Sequence, residues 1–254
     1  MLSRLPTHRV SPWLVGPCAL LLAQTVAADQ HAASIPSAFS AASAGGELPA
    51  GWRPFTPSAT LKPTRYTLVR DGNTVVVRAD ADGAMSGLFH PVRIDPAKTP
   101  LIQWRWRIER PLESADMTTK AGDDYAARLY VLFDYDVAKL PLLTQAKFKL
   151  AKSLYGTDVP AAALNYVWDN RQPVGTIRAN AYTDRARMIV VASGATNAGM
   201  WVTVTRDLAA DFRAAFGEAA PAVTGIIIAT DTDNTGEHAT AWYGDIRFLP
   251  RESP

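Results

Sequence analysis

The chain has 254 residues but a single cysteine, Cys18, and four histidines. One thiol cannot close an internal disulfide or build a thiolate metal site, so a folded domain of this length must rest on its apolar core. An excess of one charge sign is missing as well, with 26 Lys+Arg against 24 Asp+Glu. Sequence-independent nucleic-acid binding needs a net basic surface, which disfavours that class. There is no Gly-x-Ser-x-Gly elbow, no Walker or dinucleotide loop, and no histidine pair at zinc-site spacing. A triad hydrolase and a catalytic zinc site are thereby disfavoured. Beyond the first 28 residues no apolar run approaches the length of a membrane span.

The one apolar run stands at the start. Arg4 and Arg9 precede a mostly apolar stretch at 13–26, and Val26-Ala27-Ala28 offers small residues for cleavage, the pattern of a secretory signal peptide over 1–28. Gly16 and Pro17 interrupt the run, which reads as a leader and not as a permanent helix across a bilayer. Pro17 before Cys18, with most of the apolar run after it, does not suit lipidation. Loss of Arg4 and Arg9 would leave 24 basic residues against 24 acidic ones. The expected location is the periplasm or the outside of the cell, and the mature chain has no span.

Residues 29–47 are rich in Ala and Ser with little apolar period, as in a flexible tether, and one domain is expected over 48–250. No internal repeat is present. Short β-branched and aromatic runs recur at 65–70, 74–79, 87–94, 101–109, 127–135, 164–168, 176–183, 188–192, 201–206, 223–230 and 240–249. This spacing predicts a mostly β fold, a single jelly-roll β-sandwich with one or two short helices. Asp71-Gly72-Asn73 marks a hairpin turn. Helical spacing appears at 141–155, and again behind Asp207 as N-cap, with Leu208, Phe212 and Phe216 on one face before Gly217.

In the strand at 101–109 side chains alternate between faces, so Ile102, Trp104, Trp106 and Ile108 share one side. The flanking isoleucines assign both tryptophans to the core. Leu129, Val131 and Phe133 divide likewise from Arg128 and Tyr130. If these two strands pair, Gln103, Arg105, Arg107, Arg128 and Tyr130 form a local basic face with one aromatic, a candidate ligand-binding surface. The bland alternative is a solvated face where the arginines meet Glu109 and Asp134, since surface ion pairs are common and contribute little.

The series WRWRI, GDDYAARLYVLF, LNYVW, GMWVTVTRDLAADFRAAFG, GIIIATDTDNT and AWYGDIRF resembles an exported bacterial family, domain of unknown function 3047, over most of 48–248. That family brings no activity with it. More distantly, GIIIAT followed by TAWYGDIRF looks like the close of galactose-binding-like jelly rolls in carbohydrate-binding modules. Such modules often carry Asp-Asn or Asp-Asp where this chain has Gly244-Asp245, a departure that weakens any transfer of their calcium site.

The candidate chemistry is carboxylate chemistry. Glycoside hydrolysis uses two acids flanking one bond, and Asp123-Asp124, Asp169 and Asp231/Asp233 qualify by residue type. Asp123 and Asp124 equally suit Asx-type closure of the long connection, or pairing with Arg128. The Asp231–Gly236 stretch begins like an EF-hand loop, but position twelve is Trp242 where that loop needs Glu. A simpler calcium site from Asp231, Asp233 and Glu237 is the remaining metal reading, and no other cofactor is implied. His31 falls in the tether, His90 precedes Pro91 in a strand and His238 sits in a polar loop, all structural or solvated readings.

Three functions compete: non-catalytic binding of a glycan, an anionic polysaccharide among the candidates, or of another extended polar ligand; polysaccharide processing with Asp123 or Asp124 as acid/base; and an envelope structural or protein-interaction role. The leader carries its own test. Intact mass of the exported protein should correspond to cleavage near Ala28, and a product retaining Cys18 would reinstate the membrane anchor.

Overall fold

Extended runs with one apolar face must bury that face against another sheet. This is the arrangement in the computed structural model, which describes residues 35–142, 144–145 and 161–251. The expected leader and most of the expected helix at 141–155 lie outside the described residues. In chain order the strands are β1 (Arg53–Phe55), β2 (Arg65–Asp71), β3 (Thr74–Asp82), β4 (Met85–Ile94), β5 (Leu101–Ile108), β6 (Arg128–Phe133), β7 (Ala162–Asp169), β8 (Ile177–Ala179), β9 (Ala186–Ser193), β10 (Val202–Asp207), β11 (Val223–Asp231), β12 (His238–Tyr243) and β13 (Arg247–Leu249). The helix α1 (Leu208–Phe216) lies between β10 and β11.

The result is a jelly-roll β-sandwich. A seven-stranded sheet, ordered β1-β4-β11-β6-β7-β9-β8, packs on a second sheet in which β10-β5-β12-β3-β2 lie side by side and β13 also pairs with β5. Among the described residues, β7 and β9 form the one parallel pair. Between the sheets, Ile102, Trp104, Trp106 and Ile108 of β5 are at most 2 % exposed, as their alternation requires. Trp104 meets Tyr166 at 5.2 Å between ring centroids and Trp106 meets Trp168 at 6.2 Å, so β5 is keyed to β7 across the sandwich. Burial of each large ring contributes roughly 1.5–3 kcal/mol or more.

Local signals explain the ends of several elements. The β2–β3 hairpin pairs Asp71 with Thr74, leaving Gly72 and Asn73 as a two-residue loop. Gly72 takes φ +59°, as the first central position of a type II′ turn requires. Asp207 accepts a hydrogen bond from the Ala210 amide at 3.0 Å and caps α1, which Gly217 ends with φ +76°. From α1, Asp211 accepts from Tyr166 Oη at 2.8 Å and from Arg206 Nε at 2.9 Å, fixing the helix to β7 and β10.

Four features depart from the sequence expectations. Strands β5 and β6 do not pair; they belong to opposite sheets, because the 109–127 connection carries the chain from one sheet to the other. The run at 240–249 divides into β12 and β13, both along β5, at Gly244, where a Cβ would lie 2.6 Å from Arg105 Cγ. The three-residue β1 has no alternation to read, and Pro54 confines it to a sheet edge. The segment expected as tether is packed at 36–39, where Pro36 and Phe39 are buried. Phe39 is wholly buried against Trp52, Ser40 donates to Asp245, and Trp52 Nε1 donates to Ser37 O at 2.9 Å. An Ala/Ser-rich composition hides one aromatic anchor.

That anchor has a measurable weight. Phe39→Ala should cost about 3–5 kcal/mol in urea unfolding, as for a core phenylalanine, whereas the outward Arg105→Ala should cost less than about 1 kcal/mol. An Arg-sized effect at Phe39 would return residues 35–47 to the status of a tether.

Candidate functional site

The outer face of the seven-stranded sheet holds the groups that inward-facing alternation rejects. Register places Phe89, Ile227, Tyr130, Asn165 and Met188 in one row across β4, β11, β6, β7 and β9. Arg128 lies one step along the same face of β6. At one end the 109–127 connection folds over this face, with Met117 and Tyr125 packed on Val167, Met188 and Val190. Burial of Arg128 to 3 % exposure follows from that cover.

A buried guanidinium needs a partner. Arg128 Nη2 donates to Asp231 Oδ2 on the neighbouring β11, and the Tyr125 amide donates to Asp231 Oδ1 at 3.3 Å. The guanidinium carbon lies 5.3 Å from the ring centroids of both Tyr125 and Tyr130. Burial would lower the Arg128 pKa, but Asp231, Tyr130 and Asp123 hold it above its ordinary value, so the group stays charged. Its Nε and Nη1 nevertheless have no hydrogen-bond partner among the described residues, and the same is true of Asp123 Oδ1, Tyr125 Oη and Asn165 Oδ1. Buried polar atoms are normally satisfied, and these five are half of the ten buried side-chain atoms without a partner among the described residues.

The paired carboxylates have separate tasks. Asp124 accepts from the Asn234 amide at 3.1 Å, Asn234 Nδ2 at 3.0 Å and the Thr235 amide at 2.6 Å, closing the loop after β11. Asp123 is 6 % exposed; its Oδ2 accepts from Asn180 Nδ2 at 2.8 Å while Oδ1 has no partner. Burial pushes the Asp123 carboxyl above its ordinary pKa, against the pull of Arg128 and Asn180.

Asp123 and Arg128 belong to the lining of a cleft of about 520 Å³, within the range of about 300–1,000 Å³ usual for small-molecule sites. Its polar groups include Asn180, Asp233 and Asn234; Phe55, Pro57, Leu61 and Met85 supply apolar wall. Tyr182, 56 % exposed, presents its ring at the rim. The hydroxyl is held from two sides, donating to Asn234 Oδ1 at 2.9 Å and reaching Lys120 O at 3.2 Å. Burial raises the Asp233 pKa too, with the neighbouring Asp124 adding to the effect.

Of the expected metal ligands, Asp231 and Asp233 come together, but with Asp124 in place of Glu237; one carboxylate oxygen from each of the three lies within 4.8 Å of the others. Glu237 points elsewhere and accepts from the Glu113 and Ser114 amides at 3.1 and 2.8 Å. Asp231 already accepts from the Arg128 guanidinium, and Asp124 from the Asn234 and Thr235 amides.

The expected basic face is divided between the sheets. Arg128 and Tyr130 line the cleft, whereas Gln103, Arg105 and Arg107 lie on the outer face of the other sheet. There Arg105 covers Trp201 at 4.5 Å, and Arg107 covers Trp242 at 4.2 Å and pairs with Asp71 at 3.3 Å, not with Glu109 or Asp134. Asp169 is spent on a turn, accepting from the Arg171 and Gln172 amides at 2.8 and 2.6 Å. His90 is structural: the Ser37 amide donates to Nε2 at 3.4 Å, which leaves Nδ1 to donate to Pro91 O at 2.7 Å. Asn180, Tyr182 and Asn234 were missed as site residues. Only Asn165 had a readable signal, a polar side chain in the apolar strand LNYVW.

A family model described as "Protein of unknown function (DUF3047)" matches residues 50–247, and the chain belongs to that family. No curated protein matches. Among solved structures, the native family 12 xyloglucanase from Bacillus licheniformis is similar at 9 % identity and TM-score 0.42, over 79 % of this chain and 94 % of that one. The xyloglucanase domain of a type three effector from Sinorhizobium fredii, in complex with cellobiose, is similar at 7 % identity and TM-score 0.40, over 80 % and 97 %. An arabinose-bound α-L-arabinofuranosidase is similar at 9 % identity and TM-score 0.43; 86 % of this chain is covered, but the chain spans only 26 % of that enzyme.

The charge arrangement yields two stability outcomes. Asp231→Ala should cost about 3–5 kcal/mol, because it strands a buried guanidinium. Asp123→Asn should do the reverse. A carboxyl with a raised folded pKa binds its proton more tightly when folded, so the destabilisation is absent below the unfolded value of about 3.9 and grows as pH rises through the folded value. Thermal unfolding should therefore show Asp123→Asn melting a few degrees higher than wild type at pH 7, with the gain vanishing near pH 3; a loss at pH 7 would mean that the carboxylate is an internal strut.

Proposed function

We propose that this DUF3047 member binds an uncharged glycan in the cleft on the seven-stranded sheet, and that it does so as an exported protein. The observation that carries the reading is the combination of an exposed Tyr182 ring, immobilised through its hydroxyl, with two cleft-lining residues, Asp123 and Arg128, that keep unpaired polar atoms. A sugar has apolar C–H faces and a rim of hydroxyls. The first suits an aromatic wall, and the second can both donate to Asp123 and accept from Arg128. Each such bond contributes about 0.5–1.5 kcal/mol net, more where the protein group is charged.

Charge argues against the anionic polysaccharides first considered. Arg128 is committed to Asp231, and Asp123, Asp124 and Asp233 stand around it, so an acidic glycan would meet net repulsion. The basic start and apolar run of the leader support export.

Isothermal titration against neutral and acidic oligosaccharides tests the assignment. Neutral chains should bind in preference, with little weakening by salt. Tyr182→Ala should weaken binding about tenfold, which is about 1.4 kcal/mol, and Arg105→Ala should leave it unchanged. If Arg105→Ala abolishes binding while Tyr182→Ala does not, the ligand lies on the other sheet and the cleft assignment fails.

A further inference from the structure

We propose that the cleft hydrolyses the glycan it holds, with Asp123 as proton donor to the glycosidic oxygen and Asp233 as proton acceptor from the attacking water. This rests on the glycan-binding reading above. Four carboxylates crowd the Arg128 end of the cleft, and the contacts sort them into two kinds. Asp124 closes the loop at 234–235 and Asp231 holds Arg128, so neither has a role left to give to a ligand. Asp123 and Asp233 are the two that line the cleft.

Their settings suit proton transfer. Asn180 Nδ2 clamps Asp123 Oδ2 at 2.8 Å, which fixes the carboxyl plane and leaves Oδ1 buried and unpartnered. A purely structural carboxylate would be expected to have both oxygens satisfied. Asp233 is only partly buried and accepts one long bond, 3.5 Å, from Asn234 Nδ2, so it remains accessible to water. The groups facing Asp123 are Arg128, Tyr125, Tyr130 and Tyr182 together with the carboxylates of Asp124, Asp231 and Asp233. One buried guanidinium among these carboxylates favours holding a proton at the most buried cleft-lining one, Asp123, and the raised value there agrees with this.

The step balances with water as the one co-reactant. As the bond from the anomeric carbon to the bridging oxygen breaks, the Asp123 carboxylic acid gives that oxygen its proton. As the water oxygen bonds to the anomeric carbon, the Asp233 carboxylate takes the water's proton. Asp123 ends as carboxylate and Asp233 as acid, and exchange with solvent restores both.

The purified protein is incubated with neutral hexasaccharides, the cello-, xylo-, manno- and malto- series, in ¹⁸O-labelled water, while binding of each is measured on the same preparations. A hexasaccharide that binds should yield shorter products with one ¹⁸O at the new reducing end, and its rate should rise and fall with pH as two carboxyls titrate. Asp123→Asn and Asp233→Asn should each lower kcat about 100-fold or more, a loss larger than the accompanying change in binding. Thermal unfolding of each variant, measured alongside, separates a loss of catalysis from unfolding. If a hexasaccharide binds without being cleaved, or either variant cleaves as wild type does, the hydrolysis proposal is wrong and the binding reading stands. If none of the four binds, both fall.

Discussion

The candidate site depends on one buried ion pair. Arg128 and Asp231 face each other from adjacent strands, and the pair is tolerable away from water because a backbone amide completes Asp231 and two tyrosine rings flank the guanidinium. That amide belongs to Tyr125, the end of the long connection between the two sheets. The ion pair therefore does more than neutralise charge. It anchors the connection over one end of the sheet, and the two residues before Tyr125 become a cleft wall on one side and a loop clamp on the other.

Much of the sandwich was legible because β-strand parity is a local property. The alternation in WRWRI identified the core tryptophans, and the Asp207 cap, the apolar spacing and Gly217 identified α1 to its ends. What parity cannot express is which sheet a strand joins. Two strands with matching polar faces, β5 and β6, looked like neighbours, and the surface built on that pairing had to be divided. The site was less legible still. Asp123 and Asp124 are chemically identical in sequence, and their different roles come from Asn180 and from the 234–235 amides, more than fifty residues away.

The two outer faces also show how differently arginine can be used. On the six-stranded sheet, Arg105 and Arg107 lie over Trp201 and Trp242, with Arg78 at 5.8 Å on the far side of Trp242. Each guanidinium there covers apolar surface that would otherwise face solvent, a stabilising cation–π arrangement. On the seven-stranded sheet Arg128 is sunk below the surface and paired with Asp231. Alternation made both placements possible; depth separates a guanidinium that clads a ring from one held in a buried ion pair.

The anchored segment at 36–40 has a consequence in time. The Ser40 amide and hydroxyl donate to Asp245, 205 positions further on, and the Ser37 amide meets His90, 53 positions on. Contacts of such separation must wait for their far partner, and they slow folding because the intervening chain has to be ordered first. A polypeptide made from its amino end thus emits this segment early, yet its Ser40–Asp245 contacts can close only once residue 245 has been made.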